Sequence, residues 1–431
     1  MIANSALGQA GGKKDINIAL LGAGAQGQVL MNAILKLGRN SGIKFRAVCD
    51  IWEKGNLRRV SRTLKAYGRL GHKGTAYVDY QEMLEKEKDL DAVLVATPDF
   101  WHAEHTIACF EKGLHVYCEK EMSNSLEAAK NMVLAGRKAG KLLQIGHQRR
   151  SNPRYIYCNE KIIKEANLLN RITNISGQWH RSRAGCVDLG WPDGTEIPKE
   201  TLTKFGFDDM PQFRNWRWYK GLGGGPIVDL GSHQIDVYSW FLDNAVPSSV
   251  MASGGVDYWK DHEWYDNAIA IFEFPTKKGL VRASYETLTT NSSNGYYELF
   301  MGDEGTLLIS ESAGRGELYR ESWVEEAKWD PWVQKGMIKL EKASAKAEAK
   351  AGDDEVDVRE SATPALYRMP IEMKDPYHQP HLVNFFESVR GNQTLNCPGE
   401  IGYETAVMVL KVNEAIAAAR KIELKPEDFK V

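Results

Sequence analysis

The sequence predicts an α/β chain in two parts, an N-terminal doubly wound parallel sheet followed by an α+β domain with a large, mostly antiparallel open sheet. Three observations carry that expectation. Short apolar runs alternate with amphipathic segments through the first third of the chain. Beyond about residue 153, strands of mixed alternation follow one another with few long helices between them. At 431 residues there is room for two or three domains and a large core.

The elements follow in order. Residues 1–14 are small, polar and Gly-containing, and read as a flexible arm without the apolar stretch of a signal peptide. Residues 15–150 are assigned to a dinucleotide-binding (Rossmann) domain. Its first strand, 16–21, runs straight into Gly22-Ala23-Gly24-Ala25-Gln26-Gly27 and then into the helix-like stretch 28–35. In this GxGxxG order Gly22 allows the tight turn, Gly24 lets the backbone approach a pyrophosphate, Gly27 permits close helix packing, and the helix start faces the anion. The second strand, 45–49, ends in Asp50, a little over twenty residues past Gly27. A carboxylate there accepts hydrogen bonds from both ribose hydroxyls and repels a 2′-phosphate, so the expected cofactor is NAD rather than NADP. An acidic turn residue capping the next helix is the plainer alternative. Further buried strands are expected within 90–98, 114–119 and 142–146, with an amphipathic helix over 125–139.

Residues 151–431 form the expected substrate-binding and oligomerisation domain, with strands at 170–179, 249–255, 267–274, 279–287, 296–301 and 305–310. Residues 339–357, rich in Ala, Lys, Glu and Asp, read as a solvated, partly helical insertion without chemistry. The amphipathic helix 403–420 is expected to pack rather than catalyse.

Composition narrows the partners. A net charge of −2 gives no reason to expect nucleic acid or an anionic membrane, and no apolar run is long enough to span a bilayer. Six cysteines, Cys49, Cys109, Cys118, Cys158, Cys186 and Cys397, show no CxxC, so neither a metal site nor a disulfide framework is expected. The first three lie in apolar runs and read as core thiols. The default location is cytoplasmic; an exported protein whose leader has been removed is the alternative.

Several segments together resemble the Gfo/Idh/MocA family of oxidoreductases, the family of glucose-fructose oxidoreductase and inositol dehydrogenase. They are Gly22 to Gly27, Ala96-Thr97-Pro98 with His102, the run Gly113 to Lys120, Gly223 through Asp236, and the closing Gly402-Tyr403-Glu404 and Asn413-Glu414-Ala415. The resemblance implies a Rossmann domain, a C-terminal domain with an open sheet, and hydride transfer to or from a sugar or polyol. It places Lys120 at the Lys of a Glu-Lys-Pro motif, and Asp229 and His233 at the Asp and His of a DxGxHxxD helix. It implies cofactor contacts from Ala25, Gln26, Thr97, Pro98, His102, Glu119, Lys120 and Gln148 beside the glycines and Asp50. The chemistry is consistent: Asp229 and His233 lie four apart and share a helix face. An imidazole with a pKa near neutrality suits the removal of an alcohol proton, and Lys120 can stabilise the oxygen. Where the family has Pro after Glu-Lys this chain has Glu121. Three outcomes stay open: a displaced Lys120, a Glu121–Lys120 pair, or a second carboxylate at the substrate.

Donors interleave with flat rings in Gln148-Arg149-Arg150, in Gln178-Trp179-His180-Arg181 with Arg183, and in Trp216-Arg217-Trp218-Tyr219-Lys220. Sugars are recognised by such mixtures. Arg149, Trp179, Arg181, Trp216, Arg217 and His233 are the expected substrate contacts. The expected function is NAD-dependent oxidation of a sugar, glycoside or polyol, with carbon 3 of a pyranoside a candidate position. A redox-neutral glycosidase or epimerase with transient oxidation is one alternative, and a non-catalytic NAD-binding sensor another. The open sheet needs its exposed face covered, which points to a homo-oligomer, a dimer or tetramer.

Overall fold

A computed structural model of the chain describes residues 14–182, 188–312, 314–344 and 361–431. The arm up to residue 13, Arg183, Cys186 and most of the 339–357 insertion lie outside the described residues.

The first sheet has six parallel strands: β1 (Ile16–Leu21), β2 (Ile43–Cys49), β3 (Thr75–Tyr77), β4 (Ala92–Val95), β5 (His115–Cys118) and β6 (Leu143–Ile145), in the order β3-β2-β1-β4-β5-β6. Strands β1 and β4 are apolar on both faces because helices cover both sides. Local chemistry fixes the helix ends. The Asp79 carboxylate accepts from the Gln81 and Glu82 amides to start Tyr80–Lys86. Ser125 caps Leu126–Ala139, which stops at Gly140 in the left-handed region.

The second sheet has ten strands: β7 (Ile172–His180), β8 (Ser249–Gly255), β9 (Asn267–Thr276), β10 (Gly279–Leu288), β11 (Tyr296–Gly302), β12 (Gly305–Ile309), β13 (Gly316–Arg320), β14 (Lys339–Lys342), β15 (Ala365–Arg368) and β16 (Ile422–Glu423). Their order is β14-β15-β13-β12-β11-β7-β10-β9-β8-β16, and only the central β7–β10 pairing is parallel. The start of the supposed helical insertion is thus β14, an edge strand paired to β15. Its Lys-Leu-Glu-Lys pattern looks helical in composition, but cross-strand pairing decides its conformation.

One face of this sheet buries Ala268, Ala270, Phe272 and Phe274 of β9 in a core shared with the helices Gly225–Phe241 and Gly399–Ala418. The other face leaves Ile269 49% and Ile271 38% exposed, with Met251 beside them on β8. The Gly399–Ala418 helix also touches Leu126–Ala139, so a single apolar cluster runs from β5 and β6 into the second sheet. The helix Gln379–Val389 departs from a simple division at residue 150. Its Leu382, Phe385 and Phe386 are buried with Ile18, Phe45, Leu94 and Tyr117, inside the first domain's core. Among the described residues, no helix is long and apolar enough to cross a membrane.

Candidate active site

Gly22, Asp50, Thr97, Glu119 and Gln148 each follow the end of a strand of the first sheet, so chain topology collects them at its carboxyl edge. A cavity lies over Gly22, Gly24, Ala25, Gln26 and Asp50. A second reaches Trp179, Arg181, His233 and Tyr296. Ala25, Gln26, Glu119, Lys120 and Arg217 line both, making one cleft with a nucleotide-like end and a wider end against the second sheet.

At the first end the backbone is cut for close approach. Gly22 has φ +96°, and a Cβ there would strike the Ala96 carbonyl; a Cβ on Gly27 would strike the Gly22 carbonyl. A Cβ on Gly24 would meet only Asn56 Nδ2, at 3.9 Å, so its backbone faces open space. The Asp50 carboxylate is held by the amides of Ala23 and Trp52, both at 2.7 Å. Burial pushes its pKa up to about 6, and those two amides, the Asn56 amide and Arg214 offset part of the rise. Gln26 Nε2 donates to Glu119 Oε1 at 2.8 Å where the two ends meet. Thr97 Oγ1 lies 3.0 Å from His105 Nδ1, and Pro98 leads into the helix Asp99–Glu111. These features fit a dinucleotide: a turn a side chain would fill, a helix start and an acidic ribose partner.

Lys120 Nζ donates to Asp229 Oδ1 at 2.8 Å and to the Asp229 carbonyl. Arg217 Nε lies 3.3 Å from the other Asp229 oxygen. Burial alone would raise the Asp229 pKa, but Lys120, Arg217 and Arg181 outweigh it and hold the carboxyl well below the usual range. One helical turn on, His233 reaches the same wall of the cleft, its Nδ1 buried without a partner. Burial, with Lys120, Arg149, His147 and His378 adding to it, pushes the imidazole far below neutrality. The expectation of a near-neutral pKa is therefore corrected: His233 is uncharged in this cleft.

The Lys120–Glu121 peptide bond is cis. Glu121 neither pairs with Lys120 nor lines the cleft. It is fully buried, Oε1 accepts from the Met122 amide at 2.7 Å, and burial lifts its pKa to about 8.

Trp179 stacks on Tyr296 at 4.5 Å and 19°, because the two are opposed across β7 and β11. The Arg181 guanidinium sits 5.0 Å from the Trp179 ring centre, and His233 lies 5.4 Å away on the same platform.

Three expected ligands are not brought to the place foreseen. Arg149 is 1% exposed, bonded to Glu298 and Glu311, and lies behind Trp179 and Tyr296. A charge so buried needs carboxylates, and it props the platform instead of touching a ligand. His102 turns inward, its ring nitrogens 2.7 Å from the Glu121 and Thr97 carbonyls. Trp216 faces the nucleotide end, in an apolar cluster with Trp52 and Phe207; Arg217, whose guanidinium lies 4.2 Å from its ring centre, spans both ends.

Other residues of the cleft were not anticipated. Asp99 lines the nucleotide end, Arg214 both ends, and Tyr377 and His378 the wider end. Burial pushes Asp99 up to about 7. The Asp99 signal lay in its place directly after Thr97-Pro98. Tyr377 and His378 carry no local signal, since they arrive from the loop before the Gln379–Val389 helix.

Residues 16–147 match the model of an oxidoreductase family with an NAD-binding Rossmann fold, and residues 199–308 match the GFO/IDH/MocA C-terminal domain. D-glucoside 3-dehydrogenase of Escherichia coli is 28% identical over 55% of this chain and 57% of its own length. Inositol 2-dehydrogenase of Rubrobacter xylanophilus is 27% identical over 70% and 74%. The chain spans about half the length of several of the relatives it matches, among them 59% of a 1,5-anhydro-D-fructose reductase of Ensifer adhaerens. A levoglucosan dehydrogenase solved with NADH superposes with a TM-score of 0.67 at 16% identity, covering 96% of this chain and all of that one, a likeness of fold.

Proposed function

The chain belongs to the GFO/IDH/MocA oxidoreductase family, and from that premise we propose that it moves a hydride between NAD and a secondary alcohol of a cyclic sugar, glycoside or polyol. The observation that carries the reading is the meeting of Lys120, Asp229 and His233 where the nucleotide end of the cleft opens onto the Trp179–Tyr296 platform. Gly22, Gly24, Ala25, Gln26, Asp50 and Glu119 would hold the cofactor. Bound NAD supplies the hydride acceptor.

The remaining chemistry belongs to the side chains. The platform supports the apolar face of a ring, and Arg181 and Arg217 offer donors to its hydroxyls. The uncharged His233 accepts the hydroxyl proton. Lys120, anchored by Asp229, donates a hydrogen bond to the same oxygen and stabilises the charge that grows on it. This role assignment gives a sensor no advantage, because mere cofactor binding needs no proton acceptor. The exposed face of β8 and β9 supports a homo-oligomer in which a second copy covers it.

The test is a panel of pyranosides, free sugars, inositols and short linear alcohols incubated with NAD. NADH formed mole for mole with ketone from a cyclic substrate supports the reading. Equal turnover of short linear alcohols would overturn the substrate class. Product appearing without NADH accumulation would overturn net dehydrogenation in favour of the redox-neutral cycle.

A further inference from the structure

In an open α/β sheet the crevice at the strands' carboxyl ends is where a ligand enters. Here a stretch of the second domain roofs it. Residues 189–222, between β7 and the Gly225–Phe241 helix, leave their own sheet and lie on the first domain. Phe205, Phe207, Phe213 and Arg214 of this stretch face Gly22, Gly24 and Asp50 across the cavity.

The roof is fastened from the first domain's side. Trp52 Nε1 donates to the Thr195 carbonyl at 2.5 Å, and Trp101 Nε1 to the Phe205 carbonyl at 3.0 Å. Asn124 Nδ2 donates to the Gly221 carbonyl at 2.6 Å, and Lys204 Nζ bridges to Asp79 Oδ2 at 2.8 Å. Edge-to-face contacts of Trp52 with Phe213, at 5.8 Å, and of Phe100 with Phe207, at 5.5 Å, close the seam. Each indole is two residues from a cavity-lining carboxyl, Trp52 from Asp50 and Trp101 from Asp99. The same segments therefore line the cavity and fasten the roof.

We propose that residues 189–222 form a clasp that must undock for the dinucleotide to enter or leave, and that Trp52 and Trp101 are positioning residues that set the rate of cofactor exchange. A closed clasp excludes water from the reacting end and makes release of reduced cofactor slow. Opening is a local event that breaks a few hydrogen bonds and one apolar seam, while both sheets stay folded.

The experiment uses NADH alone and needs no substrate. Full-length protein loaded with NADH is chased with excess NAD, and the loss of tryptophan-to-NADH energy transfer gives the release rate. Trp52 does not line the cavity, and Trp52→Phe deletes the latch donor while a smaller aromatic ring stays in its place. It should speed release about three- to tenfold, the range expected for one lost hydrogen bond. Lys204→Ala, an exposed change with little risk to folding, should give about a twofold rise. NADH should also slow hydrogen exchange of the amides of 195–213 in the unmodified protein. The clasp is overturned if both variants release NADH at the unmodified rate, even with a lowered Tm, or if NADH leaves exchange in 195–213 unchanged. Absence of NADH binding would overturn the cofactor site itself, a result distinct from either.

Discussion

Burial, aided by Lys120 and Arg149, keeps His233 uncharged, and its Nδ1 has no partner. Replacing it by alanine should lower kcat by about 10² to 10⁴ and leave NADH affinity, measured by fluorescence titration, almost unchanged. Most of the activity surviving would move the proton to Lys120. Asp50 provides a pH signature. Its carboxyl titrates at about 6 in the free protein, and ribose hydroxyls need the ionised form as acceptor. Cofactor binding should therefore lower that pKa, and NADH affinity should fall by about tenfold for each pH unit below 6. Calorimetry with Asp50→Ala should show no such slope and a weakened preference for NAD over NADP. The motif residues were legible because their geometry is local: a turn, a strand end, one helical turn. Arg149 was misread because sequence shows a cation beside donors, whereas Glu298 and Glu311, more than a hundred residues away, decide that it is buried.

At the scale of elements, the substrate end is a product of strand register. Trp179 meets Tyr296 only because β11 pairs antiparallel with β7 in the frame that opposes them. A one-residue slip of β11 would send Tyr296 to the other face and leave Trp179 without its partner. Trp179→Ala removes a stacked pair worth about 0.5–1.5 kcal/mol and should raise the KM for the cyclic substrate about two- to tenfold while NADH affinity stays constant. Equal losses in both would place the ring under the cofactor. Strands β8 to β12 were readable from alternation because one face is buried, whereas β13 to β16 are short edge-side strands whose pairing is not encoded in their own few residues. Trp216 shows the same limit: its neighbours suggest a sugar platform, and only the path of residues 189–222 sends it to the nucleotide end.

For the whole molecule, the open face of the second sheet is the surface on which the proposed homo-oligomer rests. Ile269 and Ile271 stand exposed side by side with Met251, an apolar stripe that a second copy would cover. Sedimentation should show an oligomer, and Ile271→Asp should shift it toward monomer without disturbing NADH binding; a monomeric unmodified protein would remove the basis for this. A different consequence comes from the helix Gln379–Val389. Phe385 meets the Tyr117 ring edge-on at 5.9 Å, and Gln379 Nε2 donates to the Ala33 carbonyl at 2.7 Å. Leu382, Phe385 and Phe386 follow the strands they cover by more than two hundred residues, so a growing chain leaves this apolar flank of the first domain uncovered until they are made. Expressed alone, residues 14–150 should bind a hydrophobic dye and melt without a cooperative transition. Adding a peptide of residues 376–396 should restore the transition, and a fragment that melts sharply by itself would show that the flank closes without it.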